Sequence, residues 1–204
     1  MEKTLSSRKQ RTKRITYLAL FMAIEALLVM VPFLGFIPIG PLRATTLHIP
    51  VIIAAIVLGT KEGCLVGLVF GIFSLLNNTI NPTVTSFAFS PFISGNILSA
   101  AIAIVPRVLI GFVSGEVYSL LKSKNTTFAM ALSSFLGALT NTVLVLGGIY
   151  LLFGQAYAKA LGRSFNSLAP YFIGIISTQS ILEAIVGMII SVAVSKALLK
   201  ARRK

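Results

Sequence analysis

Apolar residues fill six runs of this chain, and short polar segments separate them. The runs cover about residues 15–34, 48–58, 64–76, 97–121, 128–153 and 171–199. A helix needs ~20 predominantly apolar residues to cross the ~30 Å hydrocarbon core of a bilayer. The pattern therefore predicts an all-α membrane protein, a compact bundle of six transmembrane helices. We expect one integral membrane domain over residues 1–204, with the bundle at 15–199 and basic tails at 1–14 and 200–204.

The second and third runs are too short to cross a membrane as helices. At 1.5 Å per residue the second reaches ~17 Å and the third, counted from residue 61, ~24 Å. Residues 36–47 and 77–96 would have to supply the missing length. Irregular backbone at membrane depth is tolerated only inside protein or against a water-filled cavity. We expect the Asn- and Thr-rich segment 77–96 to line a polar cavity in the outer half of the membrane. The alternative is that the flanking helices tilt and this segment is a plain surface loop.

Composition agrees with a membrane location and narrows the possible chemistry. The chain is 56% hydrophobic and 11% charged, whereas soluble domains carry roughly 25% charged residues. One Cys, one His and no Asp exclude an intrachain disulfide, a His-Asp metal cluster and a Ser-His-Asp triad. No phosphate-binding loop for ATP occurs. A binding subunit of a transporter complex and a stand-alone secondary carrier both fit, and we expect no enzymatic activity and no cofactor in this chain.

The distribution of Lys and Arg predicts the orientation. With six crossings, fourteen of these residues lie on the side of the two termini and three, Arg43, Lys159 and Arg163, on the other side. Positive charge collects in cytoplasmic loops, so both termini are expected in the cytoplasm. The same asymmetry accounts for the net charge of +13 without a nucleic-acid partner. The opposite face has cations and no acid in its loops, which favours a neutral or anionic ligand.

Four polar residues fall at similar depths inside the later runs: Arg107, Asn141, Gln179 and Glu183. Polar and ionisable groups are costly in a membrane and often functional. Asn141 and Gln179 could coordinate a ligand, or they could form hydrogen bonds between helices. Arg107 and Glu183 could form a structural ion pair. Glu25 lies halfway along the first run with no obvious partner.

Small residues recur at spacings of four along three runs. Gly63, Gly67 and Gly71 share one helix face, as do Gly111 and Gly115, and such spacing lets helix backbones approach closely. Ala19 and Ala23 share a face of the first helix. They could serve packing within the chain or docking to another membrane subunit.

Three stretches carry a resemblance to a known family: Ala19-x-x-x-Ala23, "HIPVIIAAIVLGTKEGCLVGLVFGIFSLLNNTINPTVTSFAFSPF" and "VPRVLIGFVSG". With the six runs, they resemble the substrate-binding S component of energy-coupling factor (ECF) vitamin transporters, most closely the pantothenate-specific branch. The resemblance implies a bacterial cell-membrane protein with a transmembrane scaffold (T) subunit and two ATPases as partners. It also implies that the partner ATPases use the ATP, and that the S component topples in the membrane to carry the vitamin inward.

The resemblance also implies a location for the ligand and for the docking face. Ala19 and Ala23 would lie against the scaffold, and loops 35–47, 77–96 and 154–169 would close over a ligand near the outer side. Pantothenate carries a carboxylate, hydroxyls and an amide. The candidates for the hydroxyl and amide groups are Asn78, Asn81, Thr83, Asn141 and Gln179. Arg43, Arg107 or Lys159 would hold the carboxylate. Pyridoxine, folate or a pyrimidine precursor are alternative ligands.

Overall fold

A computed structural model describes residues 2–31, 34–39 and 42–202 of the chain. It is predominantly helical, with one small two-stranded sheet. In chain order the elements are α1 (Glu2–Met30), β1 (Phe36–Ile39), β2 (Leu42–Thr45), α2 (Ile49–Val57), α3 (Thr60–Ile80), α4 (Pro91–Ser94), α5 (Leu98–Leu121), α6 (Thr126–Ala160), α7 (Leu168–Ile175) and α8 (Ile181–Arg202). A π-helical stretch, Ile176–Ser180, joins α7 to α8, and two 3-10 turns form at Ser86–Ala88 and Phe165–Ser167.

Four helical stretches in the described part of the chain are long and apolar enough to cross a membrane. They are Thr60–Ile80, Leu98–Leu121, Thr126–Ala160 and Phe165–Ala201. The basic residues up to position 14 belong to the first turns of α1 rather than to a separate tail. Arg14 of α1 forms an ion pair with Glu62 of α3, which fastens the two helices together near the turn between α2 and α3.

The short helix α2 forms the centre of the bundle. All nine of its residues are buried, and it contacts α1, α3, α5, α6 and α8. Pro50 lies in its first turn, where a missing N–H leaves no hydrogen bond unmade. Nine residues give about 14 Å of helix, so the prediction of a short second helix is confirmed. Its apolar surface on every side suits a helix enclosed by others.

The prediction that the third helix stops partway across the membrane is wrong. α3 has 21 residues, about 31 Å, and continues through the polar residues that the sequence analysis placed in a loop. Asn78 donates to the carbonyl of Ser74 at 2.8 Å, and Thr79 donates to that of Leu75 at 2.8 Å. These side chains turn back onto their own helix, so polar residues extend α3 instead of ending it.

Residues between α1 and α2 form an antiparallel hairpin, which departs from the all-α prediction. Phe36 pairs with Thr45 and Ile39 with Leu42. Pro38 lies within the hairpin, and proline in a helix interior would remove a hydrogen bond and clash with the preceding turn. Pairing two strands satisfies the backbone groups that a broken helix leaves open.

Glycines bring α3 and α5 into close contact, as their spacing predicts. A Cβ on Gly71 would lie 2.8 Å from the Cα of Ile104, and one on Gly111 would overlap the backbone of Gly63. Gly67 faces the backbone of Arg107 in the same way. The contact is therefore backbone against backbone, and it fixes the height of Arg107 relative to α3.

The later helices begin close to where the sequence places them, but α6 ends later. α5 starts at Leu98 and ends at Leu121, within one residue of the prediction. α6 continues to Ala160, so the predicted loop 154–169 is helical in its first half. Gly162, which has a left-handed backbone conformation with φ 65°, follows the end of α6, as glycine commonly does after a helix.

Candidate functional site

The connection between α3 and α5, residues 81–97, folds back onto the bundle. Ser86, Ala88 and Ser90 are fully buried, although Val84 and Phe92 on the same connection are largely exposed. The connection is therefore packed against the bundle in part and exposed in part, and its lining of a polar cavity stays a prediction. The connection covers the end of the bundle that lies opposite the turn between α2 and α3.

Hydrogen bonds among Asn, Ser and Thr hold this connection in shape. The Ser86 hydroxyl donates to Asn78 Oδ1 at 2.8 Å and accepts from the Thr83 backbone N–H at 2.9 Å. Thr79 and Ser90 share a hydrogen bond of 2.7 Å. Asn81 donates instead to Asn77 at 3.0 Å, in an exposed position. Asn78 and Thr83 thus meet at one serine, and direct ligand contact by Asn78, Asn81 and Thr83 stays a prediction.

An aromatic cluster, which the sequence analysis did not anticipate, joins the connection to α6 and α7. Its members are Phe87, Tyr150, Phe153, Tyr157, Phe165, Tyr171 and Phe172. Phe87 meets Phe153 edge-on at 6.0 Å between ring centroids, and Tyr157 meets Phe172 at 5.8 Å. The available signal was that aromatic residues concentrate in or next to the predicted loops 77–96 and 154–169.

Arg107 is buried beneath the connection. Its guanidinium lies over Phe70 of α3 and Phe89 of the connection, 5.3 and 5.5 Å from the ring centroids. Nη1 donates to the carbonyl of Ile102 at 2.8 Å, whereas the buried Nε has no hydrogen-bond partner. No salt bridge joins Arg107 to Glu183 among the described residues, so the structural ion pair that the sequence left open does not form there. Close packing of α5 on α3 directs Arg107 toward aromatic rings rather than toward α8.

Asn141 lies on α6 at nearly the level of Arg107. Gly137 of α6 packs on Ser114 of α5, and Gly148 packs on Ile102. The two helices are therefore antiparallel, and Asn141 lies within one helical turn of the level of Arg107. The Oδ1 atom of Asn141 is buried and has no hydrogen-bond donor. A buried donor on α5, Arg107 Nε, and a buried acceptor on α6, Asn141 Oδ1, thus both lack hydrogen-bond partners.

Glu183 connects Gln179 to the hairpin. Its Oε1 accepts from Gln179 Nε2 at 3.1 Å, from the Thr45 backbone N–H at 3.0 Å and from the Thr45 hydroxyl at 3.1 Å. Gln179 lies in the π-helical stretch, and such stretches are frequent at functional sites. Thr45, which did not figure in the sequence analysis, thereby joins β2 to the sixth apolar run.

Two other cations were candidates for the ligand carboxylate, Arg43 and Lys159. Arg43 pairs with Pro38 in the hairpin, and its side chain falls outside the described residues. Lys159 is exposed in the last turn of α6. Arg163 lies over the ring of Tyr171, 4.3 Å from its centroid. Of the two candidates whose side chains are described, Arg107 is buried and Lys159 is exposed.

Ala19 and Ala23 lie on an exposed stripe of α1 together with Ile15 and Leu27. The four positions repeat at intervals of four residues, so they share one helix face. The two alanines are therefore exposed in the described structure and do not serve packing within the chain. Contact with another membrane subunit stays a prediction.

Two cavities lie at opposite ends of the bundle. One of about 460 Å³ is bounded by residues 150–156 of α6 and by Phe165, next to the aromatic cluster. The other, about 830 Å³, lies at the turn between α2 and α3, where Arg14, Lys61, Glu62 and Glu116 contribute to its lining. Neither is lined by Arg107, Asn141 or Gln179.

Comparison with known proteins is consistent with these features. Residues 13–195 match the family described as the substrate-specific component of ECF transporters. The chain is 37% identical over 203 residues to the pantothenic acid transporter PanT of Lactococcus lactis subsp. cremoris, covering 96% of this chain and 98% of that protein. It is 33% identical over 198 residues to the pantothenate transporter PanT of Leuconostoc mesenteroides subsp. mesenteroides, and the alignment covers 92% of this chain and 93% of that protein.

The family match covers nearly the whole of the chain, and both relatives align along nearly their full lengths. A transporter component with four helical stretches able to cross a bilayer is a multi-pass membrane protein. The chain belongs to the family of substrate-specific components of ECF transporters.

Proposed function

We propose that this chain captures pantothenate at the end of the bundle covered by the 81–97 connection and passes it inward as part of an ECF transporter. Both relatives described above are named for pantothenate transport. The observation that carries the proposal is the pair of buried polar atoms without partners, Arg107 Nε and Asn141 Oδ1. A buried unsatisfied donor or acceptor costs about 1–3 kcal/mol, and a suitable ligand would remove that cost.

The chemistry of pantothenate matches this pair. Its carboxylate can accept from the guanidinium of Arg107, and charge-assisted hydrogen bonds of this kind are the strong ones. Its hydroxyl or amide N–H groups can donate to Asn141 Oδ1. Gln179, held by Glu183 in the π-helical stretch, supplies a third polar group. The aromatic cluster and the connection would exclude water above the ligand.

The proposed topology has six crossings, made by α1, α2, α3, α5, α6 and the α7–α8 pair, with both termini in the cytoplasm. This orientation rests on the fourteen-to-three distribution of Lys and Arg. It places the connection and the hairpin on the outer side of the bacterial cell membrane. The chain performs no chemistry itself, because a transmembrane scaffold subunit and two ATPases supply the energy for toppling.

Binding to the purified chain tests the ligand and the role of Arg107 together. We expect saturable binding of radiolabelled pantothenate and none of folate, riboflavin or pyridoxine. Because a hydrogen bond to a charged group contributes about 1.5–3 kcal/mol, Arg107→Gln should weaken pantothenate binding about 10- to 150-fold. Lys159→Gln is the matched control, since Lys159 is exposed, and it should bind within twofold of the wild type.

Absence of saturable pantothenate binding in the wild type would refute the choice of ligand. If Lys159→Gln lost binding and Arg107→Gln kept it, the carboxylate site would lie at the surface instead.

Docking to the scaffold is tested separately by transport. Ala23→Phe adds bulk to the exposed stripe of α1, so it should abolish ATP-dependent uptake by the assembled transporter while leaving pantothenate binding unchanged. Leu151→Phe is the control, because Leu151 is 80% exposed on α6, away from that stripe. Uptake that survives Ala23→Phe would rule out α1 as the docking face.

A further inference from the structure

Glu183 occupies an unusual position for an acid in an apolar helix. It lies in the first turn of α8, directly after the π-helical stretch, and no cation forms a salt bridge with it among the described residues. Its Oε1 instead accepts three hydrogen bonds, two from Thr45 and one from Gln179, at 3.0–3.1 Å. Hydrogen bonds to a charged acceptor are roughly twice as strong as neutral ones. One oxygen thus accepts from Thr45 and from Gln179, which are 134 residues apart in the sequence.

Thr45 ends β2, so this oxygen fastens the hairpin to the bundle. Both the backbone N–H and the hydroxyl of Thr45 point to Glu183, and β2 contacts both the π-helical stretch and α8. The next residue, Thr46, donates its backbone N–H to the carbonyl of Gly35 at 3.0 Å, which closes the base of the hairpin. A hairpin of two strands is only marginally stable by itself. Its position over the bundle therefore depends on attachments such as this one.

Gln179 shares the same oxygen, which couples the ligand site to the hairpin. The Glu183 carboxylate fixes the Gln179 amide nitrogen, and hence the direction in which the amide presents its oxygen. Any displacement of Gln179 changes the hydrogen bonding available to Thr45, and any movement of the hairpin changes the support of Gln179. Groups that share one hydrogen-bond network are expected to show non-additive mutational effects.

We propose that Glu183 is a positioning residue that fastens the hairpin to the bundle and orients Gln179 toward the ligand. The part concerning the ligand rests on the proposed function, whereas the attachment of the hairpin does not. Loss of the carboxylate frees the hairpin, so bound pantothenate leaves faster through the uncovered end. Glu183 touches the hairpin and Gln179 and acts on the ligand through them.

The experiment measures opening of the hairpin and dissociation of the ligand separately. Ala44, next to Thr45 in β2, is replaced by Cys in full-length protein whose one native cysteine is changed by Cys64→Ser. The rate of alkylation by a water-soluble maleimide, without ligand, reports opening of the hairpin. The dissociation rate of radiolabelled pantothenate, measured without the reporter cysteine, reports retention of the ligand.

Glu183→Ala should raise both rates about tenfold, because it removes hydrogen bonds to a charged group. Glu183→Gln keeps an acceptor oxygen and should restore most of the wild-type behaviour. Thr45→Val removes the hydroxyl and keeps the backbone N–H, so both rates should rise by a smaller factor, and adding it to Glu183→Ala should change nothing further. Glu116→Ala is the matched control: Glu116 accepts from the Thr60 hydroxyl at 2.9 Å at the other end of the bundle, and both rates should stay unchanged.

Each departure from this pattern has a definite meaning. Alkylation within twofold of the wild type in both Glu183→Ala and Thr45→Val would overturn the attachment. Faster dissociation with unchanged alkylation would mean that Glu183 contacts the ligand directly, which contradicts a positioning role. If the wild type bound no pantothenate but alkylation rose as expected, the attachment of the hairpin would stand and the proposed ligand would fall.

Discussion

The two ends of the bundle are held together by different kinds of contact. At the packed end, where the turn between α2 and α3 lies, Gly63 and Gly111 bring backbones together and α2 is buried on all sides. The covered end is formed by the hairpin, the 81–97 connection and the aromatic cluster, and it contains buried serines and an arginine that lies over aromatic rings. The packed end has few ways to move because its contacts are between backbones. The covered end is held by side-chain contacts, which a ligand can reinforce or replace.

The largest expected effect comes from filling the contact at the packed end. A Cβ on Gly111 would overlap the backbone of Gly63, and a backbone atom cannot move aside as a flexible side chain can. Gly111→Ala should therefore destabilise the protein by about 1–3 kcal/mol, the typical range for overpacked cores, measured as a lowered thermal unfolding midpoint in detergent. Gly147→Ala is the control, since nothing lies within 4 Å of a Cβ at Gly147. Equal stability of the two variants would mean that the packed end is not rigid.

A smaller effect is expected from the aromatic contacts of the covered end. Phe87 meets both Phe153 and Tyr157, and each aromatic pair contributes about 0.5–1.5 kcal/mol beyond its buried area. Phe87→Ala should weaken closure of the connection and reduce pantothenate affinity about tenfold, measured by equilibrium binding. Phe92→Ala, on the same connection but 78% exposed, should leave affinity unchanged. A comparable loss in both variants would assign the effect to the connection's fold rather than to the cluster.

The packed end was the easier part to predict from sequence. Its helices are delimited by local signals: Pro50 and Gly59 bracket α2, and the glycine spacing of α3 and α5 matches the observed contact. The end of α3 was mistaken because Asn78 and Thr79 were expected to favour a turn, whereas each bonds to the carbonyl four residues before it. Composition alone does not distinguish these two uses of a polar side chain.

The covered end depends on contacts between segments distant in sequence. The hairpin is fastened through Thr45 to Glu183, and the aromatic cluster draws Phe87, Tyr157 and Phe172 from three segments. Arg107 and Asn141 were identified as candidates because polar residues are rare within membrane spans. Their partners were not predictable, since Arg107 faces rings on α3 and on the connection rather than Glu183.

The smallest expected effect compares two buried polar side chains that lack full hydrogen bonding, Glu25 and Arg107. Glu25 of α1 is fully buried, and neither carboxylate oxygen has a hydrogen-bond partner. Like Arg107, Glu25 is buried and lacks hydrogen-bond partners for some of its polar atoms. Its neighbours on the same helix face, Phe21 and Val29, belong to the apolar core. Burial of an unpartnered polar group costs about 1–3 kcal/mol on the scale of protein mutations. Glu25→Leu should therefore raise the thermal unfolding midpoint, by an amount equivalent to about 1 kcal/mol, and leave pantothenate affinity unchanged.

Glu25→Gln is the matched control for this variant, because it keeps a polar group of nearly the same shape and should unfold close to the wild-type temperature. Arg107→Leu is the informative contrast. It removes a buried polar group too, but under the proposed function it should reduce pantothenate binding, because the ligand carboxylate would be the partner of that group. If Glu25→Leu weakened binding as strongly as Arg107→Leu, a polar atom without a partner would not by itself mark the ligand site. The ligand site would then have to be identified from the aromatic cluster and the hairpin instead.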